Sequence, residues 1–323
     1  MYDAFACNAG NETTALFVAD LFGFPSFATT ADGKTQPYVF YNPQWSSLYA
    51  WRSIGNSAYN GLQLSLRKRM SNGLNFDFNY SYSKSIDVGS NAERINEFEG
   101  FGVGASQIIN AWSPKQLRAV SDFDNTHQIN ANWVYELPIG RGKHFGSGMG
   151  GILNALVGGW SVSGLWRWSS GFPFSIGPGL GFWGTDWQLT SAAVLNGPKP
   201  KTGSYMVAAT PGGSVLPNVF QDPSAAIKDF RLAYPGESGQ RNNLRGPGTF
   251  DIDASLGKTW KVTEGKDLSF RWETFNVTNT PRFDVGQLQF NGNNSLATAA
   301  VFGTFTNTLN KPRLMEFALR FTF

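Results

Sequence analysis

From residue 57 onward the sequence alternates with a period of two, and it does so in seven separate segments. Leu62, Leu64 and Leu66 alternate with Gln63, Ser65 and Arg67. Beyond Asn72-Gly73, a dipeptide suited to a tight hairpin, Leu74, Phe76, Phe78, Tyr80 and Tyr82 alternate with Asn75, Asp77, Asn79, Ser81 and Ser83. The pattern returns from Ile129 to Leu137, Trp160 to Trp168, Phe250 to Leu256, Leu268 to Thr274 and Met315 to Phe323. A period of two sends successive side chains to opposite faces of an extended strand. Across these windows one face carries no charge. The other carries Arg67, Asp77, Glu136, Arg167, Asp251, Asp253, Arg271, Glu273, Glu316 and Arg320, and its only apolar members are Val134, Leu165, Phe275 and Ala318.

Alternation alone is compatible with a soluble β-sandwich. Three features favour a barrel in a membrane. The uncharged face is rich in aromatics, including Trp133, Tyr135, Trp160, Trp166, Trp168 and Trp272, with Trp260 close by. A dry sandwich core takes few indoles, because each N–H needs a partner. Rings near strand ends suit the headgroup belts of a membrane barrel. The segments are also long, at about 57–69, 74–85, 125–137, 159–172, 248–260, 267–276 and 313–323. Strands of roughly 10–14 residues tilted by ~45° cross the ~25 Å apolar band, whereas soluble strands run to about 5–6. Finally, the connections 70–73, 138–158 and 261–266 are shorter than their neighbours 86–124, 173–247 and 277–312. Up-and-down barrels place short turns in the periplasm and long loops outside. The connection 138–158 is longest of the short set. It is Gly-rich, and its patch Ile152, Leu153, Leu156 and Val157 allows a helical turn.

Composition removes other classes. Net charge is +3, from 26 basic and 23 acidic residues, so no sign dominates as it would in an electrostatic nucleic-acid binder. One cysteine, Cys7, excludes a disulfide framework, and two histidines, His127 and His144, argue against a multi-His metal centre. No stretch approaches the ~20 apolar residues of a transmembrane helix. Residues 1–56 lack a sustained period. They read as an irregular extracellular loop segment, with a helical turn over Leu16 to Phe24 and short strands over Tyr38 to Tyr41 and Ser46 to Trp51. Met1 to Gly10 lack a basic stretch of the kind that opens a secretory signal.

Candidate sites are few. The ten charges can line a lumen or simply form a salt-bridged wall. Arg271 and Glu273, two apart on one face, can join a cross-strand network. Asp251 and Asp253 are paired carboxylates, but nothing supplies further cation ligands or a nucleophile, so no catalytic residue, cofactor or metal is assigned. His127 falls near a strand end on the uncharged face. His144 lies in a basic turn with Arg141 and Lys143, which suits solvent or a lipid headgroup. Gly140 to Gly151 lacks a phosphate-loop pattern. Trp112, Phe182, Trp183, Trp187, Phe220 and Tyr234 lie in the long connections, where they can stack on a solute or pack the loops. The ligand is unknown.

The chain ends Met315-x-Phe317-x-Leu319-x-Phe321-x-Phe323. This resembles the C-terminal signal by which the assembly machinery of Gram-negative outer membranes recognises barrels. Other stretches resemble the last third of Oar-like TonB-dependent receptors of the carboxypeptidase regulatory-domain type. They are Gly55-Asn56-Ser57-x-Tyr59-Asn60-x-Leu62-Gln63, Leu74-x-Phe76-x-Phe78-Asn79-Tyr80-x-Tyr82-Ser83-x-Ser85, and Leu137-Pro138-x-Gly140-x-Gly142. Further on come Gly158-Gly159-Trp160, Ser170-Gly171-Phe172-Pro173-Phe174 and Arg271-x-Glu273-x-Phe275-Asn276-x-x-Asn279. The resemblance covers about residues 38–323. It implies an all-β, antiparallel up-and-down transmembrane barrel, here partial, with seven or eight strands of about 22. Residues 57–323 would be the barrel portion, with outer loops 86–124, 173–247 and 277–312. The implied role is uptake of an unidentified substrate, or surface adhesion or export, with no enzymatic activity. The implied partners are outer-membrane lipid and the assembly machinery, plus a plug domain and TonB in the full-length protein. No plug or TonB-contact box is recognisable here, which makes the chain read as a C-terminal fragment. A passive porin-like channel and a secreted carbohydrate-binding or adhesion protein are the alternatives.

Overall fold

The computed structural model describes residues 54–90, 113–177, 192–231, 237–290 and 292–323. The readings made for Cys7, Leu16 to Phe24, Tyr38 to Tyr41 and Ser46 to Trp51 lie outside these residues. So do those for Trp112, Phe182, Trp183, Trp187 and Tyr234.

Seven long strands form one sheet: β1 (Ser57–Ser71), β2 (Leu74–Asp87), β3 (His127–Glu136), β4 (Trp160–Ser169), β5 (Thr249–Thr263), β6 (Lys266–Phe275) and β7 (Leu314–Thr322). Each pairs antiparallel with its neighbour in sequence, giving the order β1-β2-β3-β4-β5-β6-β7. A two-residue strand, Ala119–Val120, extends the pairing of β2 at its far end. The outer edges of β1 and β7 have no strand partner among the described residues, so the sheet is open there. With 15 residues each, β1 and β5 reach about 50 Å of extended chain.

Turn chemistry sets the register. Asn72 and Gly73 both have positive φ, 51° and 77°, as a two-residue type I′ hairpin requires. Gly265, with φ 76°, closes the β5–β6 hairpin in the same place in the fold. Directly opposed residues in an antiparallel pair share a face. The pairing therefore draws rows across the sheet. One row joins Leu66, Phe78, Ala131, Trp166 and Ile252. The next joins Phe76, Trp133, Gly164, Ala254, Thr274 and Met315. Another joins Leu74, Tyr135, Val162, Leu256, Trp272 and Phe317. The apolar faces of all seven strands thus merge into one continuous surface, with charges such as Lys68, Lys84 and Lys258 confined towards the strand ends.

Three tryptophans depart from the strand-end placement expected of them. Trp133, Trp166 and Trp272 sit in the three rows just described. The Trp133 ring occupies the space that a side chain on Gly164 would fill. A large aromatic beside a strand glycine restores the packing the glycine lacks. Trp160, Trp168 and Trp260 remain towards the ends.

The three long connections meet at one end of the sheet, and the second and third build a core of their own there. Phe174, Ile176, Leu244, Val285, Phe302 and Phe305 are among its buried residues. Phe220 stacks on Phe302 at 5.0 Å and Phe283 on Phe305 at 4.8 Å. Three small antiparallel pairs brace the cluster: Val194–Leu195 with Phe230–Arg231, Pro173–Phe174 with Leu244–Arg245, and Thr202–Ala208 with Val215–Phe220. At the opposite end, the connection from β3 to β4 holds one short helix, α1 (Gly151–Val157).

Candidate functional site

The ten charged positions singled out from the alternation lie on one face of the sheet, because strand pairing keeps them in phase. Arg67 faces Asp77 across β1 and β2, and Arg67 Nε donates to Asp77 Oδ2 at 2.9 Å. Glu136 accepts from Lys143 Nζ at 3.1 Å. Arg271 Nε lies 3.3 Å from Glu273 Oε1. Glu273 stands directly opposite Glu316, a like-charge pair that this contact helps to offset. Arg320 faces Ser269 at the exposed edge.

Asp251 and Asp253 are not a vacant pair of carboxylates. Arg167, on the adjacent strand, donates one guanidinium nitrogen to both, at 2.6 Å and 3.0 Å. Arg282 approaches Asp251 to 3.8 Å from the last long connection. The backbone N–H of Asn276 donates to Asp253 Oδ1 at 2.9 Å. Asp251 Oδ2 and both oxygens of Asp253 thus face a cation or an amide, so the pair ties strands β4 and β5 to the loops above. Among the described residues, no group of three or more His, Cys, Asp or Glu gathers as a metal site.

The alternation did not point to a second network, where the loop cluster meets the strand ends. Arg241 donates to the carboxylate and backbone carbonyl of Asp87, to Asp122 Oδ1 and to Ser90 Oγ. Arg245 bonds Asp124 Oδ2 and the Gly171 carbonyl. Asp124, whose side chain is 0% exposed, also accepts the Ser85 N–H at 2.6 Å. Asn242 Nδ2 donates to the Val120 carbonyl at 2.7 Å. These contacts bridge residues 39 to 154 positions apart, so no local period marks them. The available signal was a pair of short motifs in otherwise irregular loops, Asp122-Phe123-Asp124 and Arg241-Asn242-Asn243-Leu244-Arg245.

Of the loop aromatics proposed for solute stacking, only Phe220 is described, and it is fully buried. It packs the cluster and faces no solute. An open cleft of about 640 Å³ does lie on the cluster, lined by Leu216, Pro217, Phe283, Asp284, Gln287 and Phe305 to Leu309. Its size falls in the range of small-molecule sites. His127 takes a place on the apolar face, where Tyr80 Oη lies 2.9 Å from its Nδ1 and the Tyr82 ring is 5.3 Å away. His144 packs edge-on to Phe145 at 4.6 Å.

Met315, Phe317, Leu319, Phe321 and Phe323 are exposed on one face of the edge strand β7 and just past its end. The opposite surface of the same strand carries Glu316 and Arg320. An apolar surface of this extent, continuous over seven strands and remote from the buried core, needs an apolar solvent. The sheet, the exposed apolar face and the polar face opposite it are those of an outer-membrane β-barrel wall. Residues 8–316 match the family described as outer membrane beta barrel domain, and the chain belongs to that family. The protein is placed in the outer membrane of a Gram-negative-type cell. No curated protein and no solved structure matches it.

Proposed function

We propose that the chain is barrel wall and outer loops of a TonB-dependent receptor of the Oar-like type, acting in uptake of a scarce substrate or in a surface adhesion or export role. The observation that carries this reading is the open, in-phase sheet. Among the described residues, the seven antiparallel strands leave two edges unpaired, and edge amides without partners are costly in lipid. The strands fit as part of a larger closed barrel, about 22-stranded in the receptors the sequence resembles. In that setting Arg67, Asp77, Glu136, Arg167, Asp251, Asp253, Arg271, Glu273, Glu316 and Arg320 line the lumen and face a plug domain. Met315, Phe317, Leu319, Phe321 and Phe323 present the face that the assembly machinery reads. The long connections lie outside the cell and contact the solute, and TonB acts on the plug. The wall and loops perform no catalysis.

The test is conductance of the native gene product in planar bilayers. A plugged receptor holds the membrane closed until mild urea displaces the plug. Steady open-channel current from the outset overturns the receptor reading in favour of a passive porin-like channel.

A further inference from the structure

Helix α1 presents an apolar surface that nothing among the described residues covers. Ile152, Leu153, Leu156 and Val157 fall on one side of its two turns, and all four are exposed, Ile152 to 82%. On the other side Asn154 faces inward, and its Oδ1 accepts the Arg141 N–H at 2.7 Å. The helix is held against the rim of the sheet's apolar face by side chains of that face. Trp160 Nε1 donates to the Leu156 carbonyl at 2.9 Å, and Trp260 Nε1 donates to the Ala155 carbonyl at 2.6 Å.

Between these two indoles stands Lys258, the single charged residue in the row Trp160, Lys258, Phe270 and Leu319. A cation on a lipid-facing strand is costly unless it is paired. Lys258 Nζ donates to the carbonyls of Asn154 at 3.2 Å, Ala155 at 2.6 Å and Gly158. An ammonium has three N–H donors, and here each has a carbonyl at the end of α1. The Trp160 and Trp260 rings lie 5.5 Å and 5.2 Å from the nitrogen and shield it. The lysine is thus a clamp, which fixes the helix where its apolar side continues the lipid-facing surface of the wall.

We infer that α1 is an in-plane anchor that binds the glycerol-proximal part of phospholipid acyl chains in the periplasmic leaflet, just beneath the headgroups. The occupant is lipid because the exposed side chains are continuous with the wall's apolar face and flanked by two indoles with polar contacts. The inference rests on the membrane reading of the sheet.

Depth-dependent quenching tests it. The native gene product carrying Cys7→Ser, any further cysteine likewise replaced, and one fluorophore-labelled cysteine is folded into phosphatidylethanolamine/phosphatidylglycerol vesicles, with folding checked by heat-modifiable mobility. The label goes at Leu156→Cys, Ala254→Cys on the central row, or Ser147→Cys in the turn. The Leu156 label is expected to be quenched about twofold more by lipid brominated near the glycerol than near the chain terminus, as an interfacial depth requires. The Ala254 label should show the reverse preference, and the Ser147 label should respond to aqueous iodide alone. A Leu156 label that behaves like Ser147, while Ala254 is quenched by lipid, overturns the anchor and leaves the wall reading intact. Lipid quenching at neither Leu156 nor Ala254 overturns both. Adding Lys258→Met should make the Leu156 label iodide-accessible, and unchanged quenching overturns the clamp.

Discussion

The sheet and the loop cluster bury their apolar residues by opposite rules. In the cluster, Phe220, Leu244, Leu288 and Phe302 are sealed from solvent, as in a water-soluble domain. In the sheet, Leu62, Leu64, Leu66, Phe317 and Leu319 are more than half exposed, and Ala131 is the one buried residue of the apolar face among the hydrophobic core positions. The polar chemistry differs in the same sense. Charges at the cluster's base are buried and multiply paired, as at Arg241 and Asp124. Those on the outer strands, such as Arg67, stand in the open. One chain therefore meets two solvents. The loops carry their own core because water surrounds them, and the sheet lacks one on its apolar side because lipid replaces it.

If the cluster is an independent water-facing unit, damage to its core should leave the sheet folded. Phe302→Ala removes a ring stacked on Phe220 and is expected to cost the cluster about 3–5 kcal/mol. Limited proteolysis should then cut within 192–231 while heat-modifiable mobility of the barrel persists. Joint loss of both would erase the distinction. Asp124→Asn strips a buried charge from Arg245, a change of about 3 kcal/mol for a broken buried pair. It should loosen the cluster from the strand ends, read as faster hydrogen exchange at Ser85.

The sheet's two faces are separated by a matched pair of substitutions. Ala254→Arg puts a cation on the central lipid-facing row, at a cost of ~2–4 kcal/mol in a bilayer. Val134→Arg adds the same group to the polar face, between Asn75 and Ser163, and should stay within about 0.5 kcal/mol. Urea unfolding in lipid vesicles, followed by tryptophan fluorescence, measures both. Equal effects would mean that the faces are not lipid and lumen. A smaller effect belongs to Gly73→Ala. The new Cβ would sit 2.9 Å from the Glu136 carbonyl at φ 77°, a conformation that costs an L-residue about 1–2 kcal/mol.

This contrast also explains what was readable in the sequence. The strands and their phase were, because a period of two is local and Asn72-Gly73 announces its own turn. The shared face of the ten charges followed from the same period. The loop core was not, because Phe174, Phe220 and Phe302 meet only through tertiary packing. The pairing of Arg241 and Arg245 with Asp87, Asp122 and Asp124 likewise spans distant segments. Lys258 escaped notice for a different reason. It breaks the pattern of its own face, and its explanation lies in α1, on another connection. Trp133 was misplaced towards a strand end because its role is set by Gly164 on the neighbouring strand.

The smallest expected effect bears on the open edge of the sheet. Arg67 and Asp77 form an ion pair on β1 and β2, with the arginine side chain 72% exposed. In an isolated sheet such a pair contributes at most about 0.5–1 kcal/mol and is screened by salt. Arg67→Ala should then barely change the urea midpoint of this chain, and 1 M salt should remove the difference. In the native gene product the proposal predicts otherwise. A further strand beside β1 and a plug against the polar face would dehydrate the guanidinium, so its loss would leave Asp77 a buried, unpaired carboxylate. The same substitution should therefore cost more in the native product and resist salt. If salt abolishes the effect equally in both, β1 is open to water in both, and no neighbouring strand or plug covers it.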